Sequence, residues 1–455
     1  MALLFNNLIL NKTSQKYMPF LFNLISGRRR LLSENEFKLV CLMLDKNGNY
    51  ADFCEEAMGL FFKLTSEKQF VTDDSRALVE KSLSDAGHFR FPNKYSDDLS
   101  FSVELTRGCN MKCSYCYVAS RRNDNIHMSR KHIDAIYDFF TIFVDDSHKI
   151  SDTPTIRVTG GEPLLNDKTV EIINYLASKW PNSKLDLLTN GVNLLKFYDG
   201  LPFDRINEIH ISLDGIKDIH MGIRFSGMDV NPSIYDDIII GIKRLLHDNV
   251  KVKIRIGIDK NNYRFYADLM TFLREEGVVD SPLFSQGTGF ALDFRNSLDI
   301  DESFHNKNNI VEIQQYFTDL GIPPPSYLSL STLAKAIFRP KNTPFIPEHQ
   351  RCNSTFLAKY YFSCDGDIYH CDCVHEGDGV LGTYYPSVSI NSSATDKLLK
   401  RSVMTSEKCK ACAYKFVCLG GCPMAARAKG VDMYCGAFAD DEIMDNLEYN
   451  HNWIN

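Results

Sequence analysis

Residues 100–290 predict an α/β fold of parallel strands, on three observations. Short apolar or β-branched runs (FSVEL, TIRVTG, LDLLTN, INEIHISLD, KVKIRIGI) alternate with helical-period segments (HIDAIYDFFTIF, TVEIINYLASK, YDDIIIGIKRLL). Such alternation marks repeated βα units, arranged as an α/β barrel or a doubly wound sheet. Polar, glycine-containing motifs also follow the first four runs: Arg107-Gly108-Cys109, Gly160-Gly161-Glu162-Pro163, Thr189-Asn190-Gly191 and Ser212-Leu213-Asp214-Gly215. In these folds chemistry gathers at the C-terminal ends of strands. Finally, 455 residues are too many for one compact core, so two or three domains are expected.

Upstream of residue 98 the texture changes to a small α+β region. The runs NLILN and FLFNLI are expected to pair as strands. Ser33 and Glu36 form a capping box that opens a helix with Phe37, Val40, Cys41 and Leu44 on one face. Cys41, and Cys54 near Met58 and Phe61, read as small core residues. Between 290 and 350, with Pro323 to Pro325, lie a linker and helices that lead into a cysteine-rich end.

The composition, 44% hydrophobic and 24% charged, is that of an ordinary soluble protein. A net charge of −7 argues against bulk nucleic-acid binding and leaves Arg28-Arg29-Arg30 as a solvated basic patch. The start, MALLFNNLILNK, lacks the features of a secretory signal, and no apolar run is long enough to span a membrane. The expected location is cytoplasmic. Fourteen cysteines in a reducing compartment point to metal rather than disulfides.

Three of them, Cys109, Cys113 and Cys116, share one loop. Three thiolates are one short of a closed tetrahedral zinc site, which a distant residue would have to complete. Alternatively they hold three irons of a [4Fe–4S] cube and leave the fourth open to a ligand. C-x3-C-x2-C directly after the first strand, with Tyr115 before the last cysteine, resembles the radical S-adenosylmethionine (SAM) enzymes. The resemblance implies a partial (β/α)6 TIM-like barrel in which SAM supplies the missing ligand and yields a 5′-deoxyadenosyl radical. It also implies that Gly160, Gly161, Glu162 and Pro163 receive the SAM amino group. Thr189, Asn190, Ser212 and Asp214 would contact ribose and methionine, and Arg224 of HMGIRF the SAM carboxylate.

The remaining cysteines read C352-x13-G366-x4-C371, then C409-x2-C412-x5-C418-x3-C422, then C435. This resembles the SPASM extension of radical SAM enzymes, which implies two auxiliary [4Fe–4S] clusters and three clusters in all. Cys409, Cys412, Cys418 and Cys435 would hold one; Cys352, Cys371 and Cys422 would hold the other. A further cysteine that often precedes Cys352 is replaced here by FIPEHQ, so Cys364, Cys373, His349 or an open site remain for the last iron. Two zinc sites are the alternative. Asp372, directly after Cys371, stands where some sulfatase-activating relatives place a catalytic acid; otherwise it is a turn aspartate.

The expected architecture is thus an α+β winged-helix-like peptide-recognition domain (1–97), a radical SAM core (98–300), bridging helices (301–350) and a SPASM domain (351–455). The implied activity is peptide maturation by crosslinking, of an aromatic-cyclophane or darobactin-like kind. A sulfatase-type formylglycine-generating enzyme and a peptide epimerase are the enzymatic alternatives. A non-catalytic iron–sulfur carrier is the alternative from another class, and it would need no SAM pocket. The implied partners are a leader-bearing precursor peptide and a reductant such as flavodoxin or ferredoxin.

Overall fold

The computed structural model describes residues 8–10, 20–23, 29–45, 54–66, 100–116, 118–119, 122–142, 154–290, 312–313, 315–317, 319–322, 359–372, 379–403, 405–410, 412, 415–428 and 430–434. The chain divides into two compact units. One comprises Met1–Phe91, Gly321–Cys352 and Lys400–Asn455; the other comprises Pro92–Leu320 and Asn353–Leu399.

In the first unit, strands β1 (Leu8–Leu10), β2 (Phe20–Asn23) and β3 (Arg29–Leu31) form an antiparallel sheet in sequence order. The NLILN and FLFNLI runs pair as expected, Leu8 opposite Asn23. Helix α1 (Glu34–Asp45) opens on the expected box: Glu36 N donates to Ser33 Oγ at 3.2 Å and Ser33 N to Glu36 Oε2 at 3.0 Å. Arg30 adds an ion pair to Glu36 at 2.6 Å. Helix α2 (Glu55–Ser66) buries Ala57, Leu60, Phe61 and Leu64 against Val40 and Met43 of α1 and Leu21 and Leu32. Cys54 is a correction: it is exposed, because it precedes α2 rather than lying on its buried face, and Cys41 is only half-buried beside Val40.

In the second unit, six parallel strands follow one another in sequence order: β4 (Ser100–Glu104), β5 (Thr155–Thr159), β6 (Lys184–Thr189), β7 (Ile206–Ser212), β8 (Val252–Ile258) and β9 (Phe284–Phe290). Between them run α3 (Arg130–Ile142), α4 (Asp167–Lys179), α5 (Lys217–Arg224), α6 (Ser233–His247) and α7 (Tyr266–Glu275). Asn166 caps α4, its side chain accepting from Thr169 N at 3.2 Å. The expected partial barrel is present, and the sheet is not closed: β9 ends it on one side.

The other side continues. Strand β10 (Lys359–Phe362) pairs in parallel with β4, Phe362 opposite Val103, and antiparallel β11 (Asp367–Tyr369), β12 (Val380–Thr383) and β13 (Ser389–Ile390) complete ten strands. The join is aromatic: the ring of Phe362 lies 5.4 to 5.8 Å from those of Phe101, Phe139 and Phe140. Within the sheet, Ile156, Val158, Leu185, Leu187, Ile209, Ile211, Val252 and Ile254 are buried, while the residues between them on each strand are mostly polar. Period-two alternation of this kind keeps one face apolar.

Candidate active site

Two strand-end loops are laid directly on each other. Gly161 N donates to Thr106 O at 2.8 Å and Glu162 N to Gly108 O at 2.9 Å, so the GGEP turn runs along the loop that carries Cys109. A Cβ on Gly161 would stand 2.2 Å from Gly108 O, and one on Gly160 2.7 Å from Thr106 O. Glycine is required here by backbone approach.

Glu162 then ties the second motif to the third. Its Oε1 accepts from Thr189 Oγ1 at 2.6 Å and Leu164 N at 2.8 Å, and its Oε2 from Asn190 N at 2.7 Å. Burial pushes its pKa up to about 7, with these three donors acting in the opposite direction. Asn190 reaches back to the cysteine loop, its Nδ2 2.7 Å from Asn110 Oδ1 and 3.9 Å from Cys109 Sγ. Pro163 is buried beside Glu162.

The fourth motif is organised by a buried ion pair. Arg224 donates from Nε to Asp214 Oδ2 at 2.7 Å and from Nη2 to Asp214 Oδ1 at 3.1 Å and to Tyr115 Oη at 2.5 Å. Tyr115 in turn donates to Asp214 Oδ2 at 2.5 Å, and Gly257 N to Oδ1 at 2.9 Å. Burial alone would raise the Asp214 pKa, but the guanidinium outweighs it and holds the carboxyl below its ordinary range. The last turn of α5 also carries backbone acceptors, Arg224 O and Ile223 O, for Lys112 N and Ser114 N of the cysteine loop at 2.9 and 3.1 Å. His220 accepts from Asp214 N at 3.3 Å, and burial lowers its pKa to about 3, so the ring is neutral. Ser212 ends β7 with no such bond among the described residues and pairs with Arg255 in register.

Cys109, Cys113 and Cys116 are half-buried free thiols. Burial, then the Glu162 carboxylate, pushes Cys109 up to about 12, and the neighbouring thiols add to this. Cys113 is raised by burial and partly relieved by Arg224, whose Nη1 lies 3.8 Å from its sulfur. Among the described residues no three Cys, His, Asp or Glu side chains converge as around a bound ion. The donor set nevertheless fits an iron–sulfur cluster: three soft ligands on one loop, with Asn190 and Arg224 N–H groups beside two of the sulfurs. Such donors stabilise thiolate once metal displaces the protons.

Of the C-terminal cysteines, Cys352, Cys373 and Cys435 lie outside the described residues, as does His349. Cys409 and Cys418 are buried, Cys412 is half-buried and Cys422 exposed. Cys409 lies on the short helix α8 (Glu407–Lys410) and Cys418 on α9 (Lys415–Cys418), while Cys422 joins the turn Leu419-Gly420-Gly421 to α10 (Pro423–Ala428). All three turn residues have positive φ, and a Cβ on Gly421 would stand 2.0 Å from Tyr434 O. The turn is therefore packed on the residues just before position 435. Lys415, between Cys412 and Cys418 in the sequence, is buried and donates to Lys410 O at 2.8 Å.

Cys371 follows β11 and lies 3.6 Å from Asp372 Oδ1. Cys364 is buried elsewhere, its sulfur 3.5 Å from Glu104 Oε2; burial and that carboxylate push its pKa up and disfavour thiolate. Sequence reasoning missed Glu104, Asn110, Asn262 and Lys415. Asn262 donates to Asp214 O at 3.2 Å and to Gly257 O at 2.6 Å. Isolated polar residues outside a motif give no local signal of such contacts.

The family model described as "Radical SAM superfamily" matches residues 103–256, the span that holds the four strand-end motifs. The fold is the radical SAM fold. The GTP 3′,8-cyclase of Helicobacter pylori (strain HPAG1) is 25% identical over 310 residues, 66% of this chain and 88% of that protein. The structure of Streptococcus suis SuiB bound to precursor peptide SuiA aligns with a TM-score of 0.53 at 15% identity, covering 95% of this chain and 98% of that one. That of anSMEcpe with bound AdoMet and Kp18Cys peptide aligns with a TM-score of 0.57 at 17% identity, covering 79% and 99%. These structural likenesses show a shared fold. Among the described residues no helix is long and apolar enough to cross a membrane.

Proposed function

We propose that the chain is a radical SAM peptide maturase that abstracts hydrogen from a ribosomally made precursor and installs a C–C, C–O or thioether crosslink. The observation that carries this reading is a second cysteine set, built on the Leu419-Gly420-Gly421 turn, in the same chain as the Cys109 loop. Resemblance over nearly the full length to a protein solved with its precursor peptide supports it.

In this reading Cys109, Cys113 and Cys116 hold the SAM cluster. Cys409, Cys412, Cys418 and Cys435 hold one auxiliary cluster; Cys352, Cys371 and Cys422 hold the other. The buried ammonium of Lys415 offsets the negative charge of a four-thiolate cluster. Bound SAM and its reduced cluster would supply the 5′-deoxyadenosyl radical. Glu162 has three of its roughly four acceptor positions filled and can offer the last to the SAM ammonium. Asn190, Ser212 and Asp214 border the same strand ends for ribose and methionine. Arg224 holds Tyr115 and Asp214 and faces the Cys113 sulfur. In this reading Asp372 is the acid–base residue beside Cys371. Residues 1–97 bind the leader by adding it as a strand to the three-stranded sheet, 98–300 form the catalytic core, 301–350 bridge, and 351–455 carry the auxiliary clusters. The protein works in the cytoplasm with a flavodoxin- or ferredoxin-type reductant.

A second reading follows from the sequence relatives: cyclisation of a nucleotide, as the name GTP 3′,8-cyclase describes for them. One experiment separates the two. Anaerobically reconstituted protein should hold roughly twelve irons, from three four-iron clusters, and about four fewer after Cys109→Ala, Cys113→Ala and Cys116→Ala together. Reduced, with SAM and the small peptide encoded beside its gene, it should release 5′-deoxyadenosine and return a peptide lighter by the hydrogens lost. Consumption of GTP with an unchanged peptide favours the second reading; zinc in place of iron overturns both.

A further inference from the structure

The face of the parallel sheet opposite its buried aliphatic residues carries a band of charge. Arg157 on β5, Asp186 on β6, Glu208 and His210 on β7, and Lys253 and Arg255 on β8 occupy the alternate positions of their strands. They are contiguous: Arg157 pairs in register with Asp186, Asp186 with Glu208, His210 with Lys253, and Ser212 with Arg255. Neighbouring strands lie about 4.8 Å apart, so the band is within the reach of long side chains.

The acids in it are answered. Asp186 accepts from Asn207 Nδ2 at 2.9 Å. Glu208 accepts from Ser285 Oγ at 3.2 Å, and its other oxygen lies 2.7 Å from His210 Nε2. The cations are not: among the described residues Arg157, Lys253 and Arg255 make no ion pair. Both arginines act on His210, whose pKa is lowered by burial first, raised by Glu208 and Asp186, and lowered further by Arg255 and Arg157. The five groups therefore share one field. The stem of Lys253 lies across β9, where a Cβ on Gly287 would stand 3.3 Å from its Cε.

Lys253 and Arg255, two residues apart on β8, repel each other, and Arg157, three strands away on β5, adds to the same field at His210, so an anion bound among them removes that repulsion. Three cations against the carboxylates of Asp186 and Glu208, with His210 neutral, leave an excess of one positive charge, which suits a monoanion better than a triphosphate. The band also abuts the site. Ser212, opposite Arg255, leads into Asp214, and Gly257, two residues beyond Arg255, donates to Asp214 at 2.9 Å.

We propose that Arg157, Lys253 and Arg255 receive a side-chain carboxylate of the peptide substrate, so that the enzyme selects an acidic residue close to the one it modifies. This rests on the peptide reading above. Guanidinium groups match a carboxylate in geometry as well as charge.

The test is binding, without turnover, to full-length protein purified anaerobically with its iron. Saturation-transfer NMR is run with blocked tripeptides Gly-Glu-Gly and Gly-Gln-Gly, and separately with GTP. The glutamate tripeptide should bind roughly tenfold more tightly than the glutamine one, and the double variant Arg157→Gln, Arg255→Gln should lose most of that preference. Equal binding of the two tripeptides, or an unchanged preference in a double variant of native circular dichroism, overturns the proposal. GTP binding that depends on the same arginines, without tripeptide discrimination, assigns them to nucleotide phosphates and also overturns it. In wild type, where folding is not at issue, saturating glutamate tripeptide should slow acetylation of Lys253, read by peptide mass; an unchanged rate counts against the site. No SAM cleavage is involved, so a failure here leaves the peptide-modification experiment standing as an independent result.

Discussion

Glu162 shows how a single residue can be costly for the fold and useful to the site. Its pKa is raised to about 7 by burial, above the ordinary 4.5, so the folded state favours the protonated form. The sign follows: its contribution to stability is greatest below the unfolded pKa and declines as pH rises through the folded one. Between pH 5.5 and 8 the loss should be about 2 kcal/mol, from the linkage of a group with these two pKa values. Glu162→Gln, which cannot ionise, should lack that component. Urea unfolding of both proteins at the two pH values, in the absence of SAM, checks it; parallel pH slopes would mean the carboxylate is already ionised in the fold. An ammonium bound at the remaining acceptor position would reverse the penalty, which is the chemistry expected of a cation-binding carboxylate.

At the scale of elements, the contact between the loops after β4 and β5 is backbone against backbone, so it cannot absorb a side chain. Gly161→Ala would set a methyl 2.2 Å from Gly108 O and should cost about 1–3 kcal/mol, the range for forced overpacking. Because the displaced loop carries Cys109, the variant should also hold less iron. Gly222→Ala is the control: it lies in α5 with no heavy atom within 4 Å of an added Cβ, and should be neutral or stabilise by up to about 1 kcal/mol. Chemical denaturation and iron analysis of the pair make the comparison. Equal stability and iron in the two variants would refute the packing argument.

At the scale of the molecule, the sheet does not end where the βα repeat ends. β10 covers the β4 edge, and Phe362 packs against Phe101, Phe139 and Phe140. A chain cut after residue 350 loses that strand, exposing both an unpaired edge and aromatic surface. Burial of each large side chain is worth about 1.5–3 kcal/mol, so this fragment should aggregate or fail to unfold cooperatively. Gel filtration and thermal melting decide; a monomer melting like the whole chain would show that β10 is dispensable.

Much was legible in the sequence because it is encoded locally. The five alternating runs, the Ser33–Glu36 box and the order of the four strand-end motifs all appear where periodicity and spacing put them. Their reasons, period-two burial and side-chain caps, act within a few residues. β9 was not singled out, since FSQGTGF lacks the aliphatic alternation of its neighbours. β10 was missed because KYYF is too short to declare its partner, which lies more than 250 residues away. Cys54 departs from its expected burial by standing ahead of α2 instead of on its inner face. The partners of Arg224 were equally hidden: Asp214 is ten residues away, but Tyr115 and Cys113 are 109 and 111. The sequence by itself determined which chemistry the loops can carry, since cysteine, glycine and carboxylate are matters of residue type. Only the tertiary structure decided which charges neutralise one another, because pairing depends on distances that chain order does not contain.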